Sequence, residues 1–418
     1  MNNPAPATSP ILGITWPTEG LTRVPNRLYS DADTCAQEQA NIFQGPTWNF
    51  VGLEAEIPDP GDFKTSFIGD TPVIAVRDRD GSVNVLENRC AHRGALVCLK
   101  EHGNARSLAC VYHAWNYSLK GDLIGVAFER GVKGEGGMPK DFDKSKHGLR
   151  KLRVETLNGL MFATFSPETP PLAEYLGPDI LQRVQRVTQK PLVVLGHSRQ
   201  VMHNNWKLYV ENVKDSYHAS LLHAFFATFK LNRLTMEGGI VVDESGGHHV
   251  SWAKGAQDVE TKTEYEAGDI RSNVEDLTLQ DPNLIAGRDE FGDGITLQIL
   301  SVFPNFIMQQ IRNALAVRQV VPKGPGKTEL VWTYYGFADD DAALQQMRQR
   351  QSNLAGPAGY ISMEDGCVGG FVQRGIAGAA DERSVVQMGG EGAETQTTRA
   401  TETSVRGFWK AYRPLMGL

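Results

Sequence analysis

Four residues constrain this chain more than any others: Cys90, His92, Cys110 and His113, arranged as C-x-H-x17-C-x2-H. Residues that share a metal must aim at one point. Cys90 and His92 stand at i and i+2, and alternate side chains of an extended segment face the same way. Cys110 and His113 stand at i and i+3, a spacing that a tight turn closes. The pattern reads as two loops, each offering one thiolate and one imidazole. Zinc takes Cys2His2 readily, but zinc fingers usually group like with like, C-x2-4-C and then H-x3-5-H. One Cys and one His per loop suits a [2Fe–2S] cluster of Rieske type, where two His replace two Cys on one iron. On that reading Cys90 and Cys110 take one iron, and His92 and His113 the other. Cys98 and His102, on the excursion between the loops, are bystanders. Tyr112, Trp115 and Tyr117 flank the second loop, where they either shield a cluster or serve as ordinary core. Neutral His ligands raise such a cluster to about −150 to +300 mV, against about −400 mV for all-Cys clusters. It would pass electrons singly and do no organic chemistry.

A carrier of that kind leaves most of the 418 residues unexplained. The densest remaining constellation is "NNWKLYVENVKDSYHASLLHAFF", which holds Asp215, His218 and His223 as D-x2-H-x4-H. Residues at i and i+5 of a regular helix lie about 140° apart. The helix must therefore open between the two His if both bind one metal. Two His need a carboxylate to complete the 2-His-1-carboxylate triad that leaves positions open on Fe(II). "GPAGYISMEDGCVGG" offers Asp365, read as following a Gly/Pro-punctuated helix and preceding a glycine-rich loop, with Glu364 as the local competitor. Each residue alone is a weak signal, since a lone helical His is more often packed and hydrogen-bonded in a core. The conjunction of a one-electron donor with an open iron site is what oxygen activation requires.

Hydrophobic content of 41% in a chain this long allows two or three domains. A net charge of −7 argues against nonspecific nucleic-acid or anionic-membrane binding. The N-terminus lacks the basic region and apolar run of a signal peptide, and no stretch of transmembrane length is present. Five cysteines, an odd number, suggest reduced thiols in a cytoplasmic protein. Residues 1–20 read as a Pro/Ser-rich arm and 31–44 as a short helix. "PVIAVRD" and "SVNVLENRC", joined through "DRDG", read as a hairpin. Pro-rich "SPETPPLAEYLGPD" marks a boundary. After it, helices at about 178–188, 206–229, 340–354 and 398–413 alternate with strands such as "GITLQILSVFP", "FIMQQIRNALAVRQVV" and "TELVWTYYGF". The expected class is α+β with a largely antiparallel sheet.

From about Trp48 onward the chain resembles the large subunits of the Rieske non-haem iron aromatic-ring-hydroxylating oxygenases. The resemblance rests on "ENRCAHRGAL", "CVYHAWNYSLKGDL", "NNWKLYVENVKDSYHASLLH", "VDESGGHHVS", "GPAGYISMEDG" and "RATETSVRGFWKAYR". Within that family these blocks are similar to the branch acting on terephthalate, with anthranilate dioxygenases and salicylate-type monooxygenases as alternatives. The arm and helix over 1–44, which precede that match, are expected to pack with the catalytic domain. The resemblance implies a small all-β Rieske domain over 45–168, and a catalytic domain over 169–418 whose antiparallel sheet is covered by helices. It puts the [2Fe–2S] cluster on Cys90, His92, Cys110 and His113, and Fe(II) on His218, His223 and Asp365. Asp215 matches an aspartate that links His218 to the partner subunit's His113 in an α3 or α3β3 head-to-tail trimer. An NADH-dependent reductase, a small beta subunit, O2 and an aromatic carboxylate complete the expected partners, and the product would be a cis-dihydrodiol. Two departures argue against hydrocarbon substrates. "ENVKD" is one residue shorter than in naphthalene-type enzymes, and Ile361 stands where they carry a large aromatic. A protein of another class, a zinc or electron-transfer protein without oxygen chemistry, is the remaining alternative.

A carboxylate entering an apolar pocket must meet a cation, because an unpaired buried charge costs several kcal/mol. Arg pairs with carboxylates in bidentate fashion. Arg318, in the otherwise apolar "LAVRQVV", and Arg399, read as beginning the C-terminal helix, are the candidates. Arg312 shares Arg318's strand parity and is a third. Ser251 in "GGHHVS" could hydrogen-bond a carboxylate, while His248 and His249 beside it read as structural. No dinucleotide fingerprint is present: "GVKGEGGMP" and "KGPGKTEL" both lack the strand–loop–helix context.

Overall fold

The computed structural model describes residues 13–255 and 279–418, so most of the N-terminal arm lies outside the described residues. The chain forms two compact units, Gln44–Thr169 and Met1–Phe43 with Pro170–Leu418. Among the described residues no helix is long and apolar enough to cross a membrane.

The smaller unit is built on a seven-stranded antiparallel sheet in the order Asn49–Leu53, Leu160–Thr164, Lys151–Leu157, Val83–Glu87, Thr71–Arg77, Asp62–Ile68, His102–Asn104. Alternation drives it: along Asp62–Ile68, Phe63, Phe67's neighbours Ser66 and Ile68, and Lys64 are buried while the intervening positions are half-buried. The expected hairpin joins Thr71–Arg77 to Val83–Glu87, closed by Asp78 N donating to Ser82 O at 2.8 Å. Three short strands, Leu108–Ala109, Asn116–Tyr117 and Leu123–Gly125, form a second sheet. A core of Phe63, Ile74, Val76, Leu86, Trp115 and Tyr117 includes Cys90 and Cys110.

The larger unit carries a seven-stranded antiparallel sheet in the order Leu192–Met202, Thr328–Phe337, Ala314–Pro322, Phe306–Ile311, Ile295–Val302, His249–Lys254, Gly238–Val242. Every residue of Phe306–Ile311 and Ala314–Pro322 is buried, the polar Gln309, Gln310, Arg318 and Gln319 included. Helices Leu172–Arg186, Trp206–Lys214, Ala342–Ala355, Tyr360–Gly375 and Thr403–Met416 pack against its strands. The N-terminal segment is fastened by buried carboxylates. Glu38 accepts from Lys207 Nζ, Trp206 Nε1 and Tyr412 Oη at 2.6–2.7 Å. Glu211 Oε1 accepts from Tyr29 Oη and Trp409 Nε1 at 2.7 and 2.6 Å.

Four expectations need correction. "FIMQQIRNALAVRQVV" is two strands, not one. Arg312 and Asn313 form the turn between them, with Arg312 at φ +53°. Asn313 N donates to Gln351 and its carbonyl accepts from Arg348 Nη1, so a buried polar turn hides inside an apolar run. Arg312 therefore does not share a strand with Arg318. Arg399 precedes the C-terminal helix, which starts at Thr403. The segment 206–229 is three helices, Trp206–Lys214, Ala219–Leu222 and Ala224–Thr228. Finally, the glycines after Asp365 are helical, within Tyr360–Gly375. They are there for close approach. A Cβ on Gly366 would stand 2.9 Å from Gln200 Nε2, and one on Gly369 only 2.1 Å from Asn204 Nδ2.

Candidate metal centres and substrate pocket

The two cysteine–histidine loops share a backbone solution. In the first, Gly94 N donates to Cys90 O at 2.9 Å; in the second, Ala114 N donates to Cys110 O at 3.0 Å. Gly94 and Ala114 both take positive φ, +74° and +52°. Cys90 and Cys110 are buried and unbridged, while His92 and His113 are exposed. The two imidazoles lie edge to face, 4.6 Å between centroids. Trp115 stacks on His92 at 4.9 Å and 6°, and Tyr112 covers His113 at 3.8 Å. Tyr117 Oη accepts from Ala91 N at 3.1 Å, which leaves its own proton for Cys90 Sγ, also at 3.1 Å. Burial pushes the Cys98 thiol up to about 11, so it stays protonated, and His102 is exposed.

One ion needs its donors gathered around a single point. Among the described residues, the groups of three or more His, Cys, Asp or Glu with donor atoms within 4.8 Å of one another do not include these four. A buried cysteine pair and an exposed histidine pair instead fit a [2Fe–2S] cluster, which Cys90, Cys110, His92 and His113 would hold.

The second site opens where the helix Trp206–Lys214 ends. Asp215 Oδ1 accepts from Tyr217 N at 2.8 Å and His218 N at 3.3 Å, turning the chain out of the helix. His223 adopts φ −85°, ψ 77°, a second break that lets both His face one point. Asp365 comes from the middle of Tyr360–Gly375, and its Oδ1 lies 3.5 Å from His218 Nε2 and 3.3 Å from His223 Nε2. Donor atoms of His218, His223 and Asp365 all lie within 4.8 Å of one another. Asp215 Oδ2 stands 3.4 Å behind His218, at Nδ1. Glu364 is not among the three; its Oε2 stands 2.6 Å behind His223, at Nδ1. Burial works against a charged imidazole at His218, yet Asp215 and Asp365 outweigh it and raise the group to about 10. His223 is raised against the same burial by Asp365 and Glu364. Burial disfavours the Asp365 carboxylate, but the two imidazoles hold it well below the usual range. Three convergent donors in a field that attracts positive charge fit a divalent cation with open positions.

The same pocket is lined by Ser251, Ile361, Arg318 and Arg399, and by Asp215. Arg312 is not among its lining residues. Arg318 is 5% exposed and Arg399 2%. Arg318 Nη1 donates to Tyr209 Oη at 2.7 Å, its Nη2 donates to Gln309 Oε1, and the guanidinium lies 4.5 Å over Trp332. Its Nε–H has no partner among the described residues. Arg399 donates to Asn232 Oδ1 and to Arg233 O. Phe226, Ile311, Ala355 and Ile361 form a small apolar cluster on the pocket wall. His248 and His249 are buried in hydrogen bonds with Tyr175 O, Phe303 N and Ser301 Oγ. Sequence reasoning missed Asn212, whose Nδ2 donates to Asp365 Oδ1 at 3.3 Å. It also missed Tyr209, Gln309 and Trp332, which hold Arg318. Asn212 and Tyr209 lie on the helix leading to Asp215, six and nine residues before His218; that proximity was the available signal.

Residues 47–134 match the Rieske [2Fe-2S] domain model, and 182–417 match that of the ring hydroxylating alpha subunit catalytic domain. The chain belongs to the ring-hydroxylating oxygenase alpha subunit family. It is 56% identical over 407 residues to a Comamonas sp. terephthalate 1,2-dioxygenase, terminal oxygenase component subunit alpha 2, covering 97% of this chain and 98% of that one. It is 47% identical to the anthranilate 1,2-dioxygenase large subunit of Burkholderia cepacia, over 97% and 96% of the two chains. Naphthalene 1,2-dioxygenase from Rhodococcus sp., bound to indole, superposes with a TM-score of 0.79 at 24% identity, covering 94% of each chain. The fold is shared with that enzyme. As an oxygenase alpha subunit the chain carries a Rieske [2Fe–2S] cluster in one unit and a mononuclear iron in the other.

Proposed function

We propose that this chain is the oxygenase component of an aromatic-carboxylate dioxygenase that cis-dihydroxylates terephthalate. The observation carrying the reading is a pocket that combines the His218/His223/Asp365 donor set with two buried arginines. A hydrocarbon would not require such arginines, whereas a para-dicarboxylate offers one carboxylate for each. The 56% identity to a terephthalate 1,2-dioxygenase subunit supports the same choice.

The balance is arene, O2, NADH and H+ giving cis-dihydrodiol and NAD+. Iron(II), when bound, supplies oxygen activation; His218, His223 and Asp365 would hold it. Cys90, Cys110, His92 and His113 would hold the cluster that relays electrons from an NADH-dependent reductase. Arg318 and Arg399 would pair with the carboxylates, with Ser251 as a further donor. Ile361, Ile311 and Phe226 would cover the ring and exclude water. Asp215 would join His218 to the partner subunit's His113 in a head-to-tail trimer, with or without a small beta subunit, in the cytoplasm.

The test is turnover of terephthalate, anthranilate and salicylate side by side with a reductase, under 18O2. Terephthalate is expected to be preferred and to give a cis-dihydrodiol carrying both labelled atoms. A phenol carrying one labelled atom, or preference for either alternative acid, overturns the reading. Asp215→Ala is expected to abolish turnover and preserve the cluster spectrum; unimpaired turnover removes the linking role.

A further inference from the structure

From the pairing of Glu364 Oε2 with His223 Nδ1 at 2.6 Å, behind a ring whose Nε2 faces Asp365, we infer that Glu364 is a positioning residue for the mononuclear site. The inference rests on the donor set proposed above. An imidazole can present either nitrogen, and the partner of the far nitrogen decides which. With Nδ1–H donated to Glu364, the lone pair of Nε2 is directed into the pocket. Glu364 itself is directed away from the point where the two Nε2 atoms and Asp365 converge, which removes it as a ligand competing with Asp365.

The two imidazoles are held unequally. Behind His218, Asp215 Oδ2 stands 3.4 Å from Nδ1, and that nitrogen makes no hydrogen bond among the described residues. Asp215 is instead engaged through Oδ1 with the backbone N–H groups of Tyr217 and His218. His223 has the close pair and is the more buried ring, its side chain 4% exposed against 21% for His218. It also sits at a chain break, between the four-residue helix Ala219–Leu222 and the five-residue helix Ala224–Thr228. Helices that short fix a side chain poorly by themselves. Tyr360–Gly375 is long and fastened to the sheet, where Gln200 and Ser362 exchange two hydrogen bonds at 2.7 and 2.6 Å. Consecutive residues of this one helix thus supply the acid ligand and the clamp on the opposing His. The distance between them is set by a rigid element rather than by the broken segment.

The test is Fe(II) affinity of the purified oxygenase, measured by competition with a chromogenic chelator, with cluster absorbance confirming the fold. Partners behind a ligating His typically contribute roughly 10–100-fold in metal affinity. Glu364→Ala is expected to weaken Fe(II) binding by that factor, and Glu364→Gln, whose amide oxygen still accepts from Nδ1–H, to restore most of it. Affinity of Glu364→Ala within about threefold of wild type overturns the inference. So does Glu364→Gln falling as far as the alanine variant. His223→Ala separates the two readings. If it keeps Fe(II) at wild-type affinity the donor set itself is wrong; if it loses Fe(II) while Glu364→Ala does not, only the role of Glu364 fails.

Discussion

Arg318→Met separates a substrate anchor from a structural arginine, because the two roles move stability in opposite directions. The guanidinium is 5% exposed, and its hydrogen bonds go to a phenol and an amide rather than to a carboxylate. Burying a charge on those terms costs several kcal/mol, so removing it relieves a penalty. Methionine keeps the unbranched stem over Trp332 and leaves Tyr209 Oη and Gln309 Oε1 each short of one partner, about 1–3 kcal/mol of opposing cost. The unliganded variant should melt within a few degrees of wild type, or above it. Binding should change far more. Removing one member of a buried, hydrogen-bonded charge pair costs about 2–5 kcal/mol, which is about 30-fold to several thousand-fold in Kd. Calorimetric titration of anaerobic enzyme with terephthalate measures it. The monoamide of terephthalate, with one charge removed, supplies the control: the variant should discriminate between diacid and monoamide much less than wild type does. Saturating terephthalate should raise the melting temperature of wild type and not of the variant. A Kd within about threefold of wild type, or a large fall in unliganded stability, would show that Arg318 serves the fold and not the substrate.

Tyr117→Phe removes the hydroxyl donated to Cys90 Sγ, so the more negative reduced cluster loses stabilisation and the potential should fall in a redox titration; an unchanged potential removes Tyr117 from that role. Burial raises Glu211 to about 7 against the Tyr29 and Trp409 hydrogen bonds. Its folded value lies above the unfolded one, so the stability it confers is complete below about pH 4.5 and is lost as pH rises through about 7. Glu211→Gln still accepts both hydrogen bonds and should flatten the fall in melting temperature between about pH 4.5 and 7; an equal slope in both proteins refutes the assignment. Gly369→Ala places a Cβ 2.1 Å from Asn204 Nδ2, inside a buried contact. Overpacking of that kind costs about 1–3 kcal/mol. The variant should melt lower and hold Fe(II) less well, since the same helix carries Asp365; an unchanged melt would show that the helix can shift at no cost.

The candidate metal-binding residues were legible because their chemistry is dense and their spacing is tight. C-x-H and C-x2-H are local patterns, and each loop closes on itself with two backbone hydrogen bonds. The break between His218 and His223 was also legible, because i and i+5 cannot share a face without it. What stayed hidden depended on partners far along the chain. Gly366 and Gly369 look like a loop until strand Leu192–Met202 and Asn204 are laid against them. Arg312 and Asn313 look like strand residues until Arg348 and Gln351 arrive to satisfy the turn. Glu364 and Asp365 cannot be ranked as ligands from spacing alone, since adjacent residues of a helix differ only in which way they point. Arg399 lines the pocket but was misplaced by its helix, because a helix start depends on where the first buried residues fall.

Iron and acid-labile sulfide counted per chain, in wild type and in Asp365→Ala, test the two-centre arrangement most directly. Wild type should contain three irons and two sulfides, the cluster's pair plus the mononuclear ion. Asp365→Ala should contain two irons and two sulfides, with the cluster's absorbance unchanged. Three irons in the variant, or zinc in place of iron in wild type, would contradict the assignment.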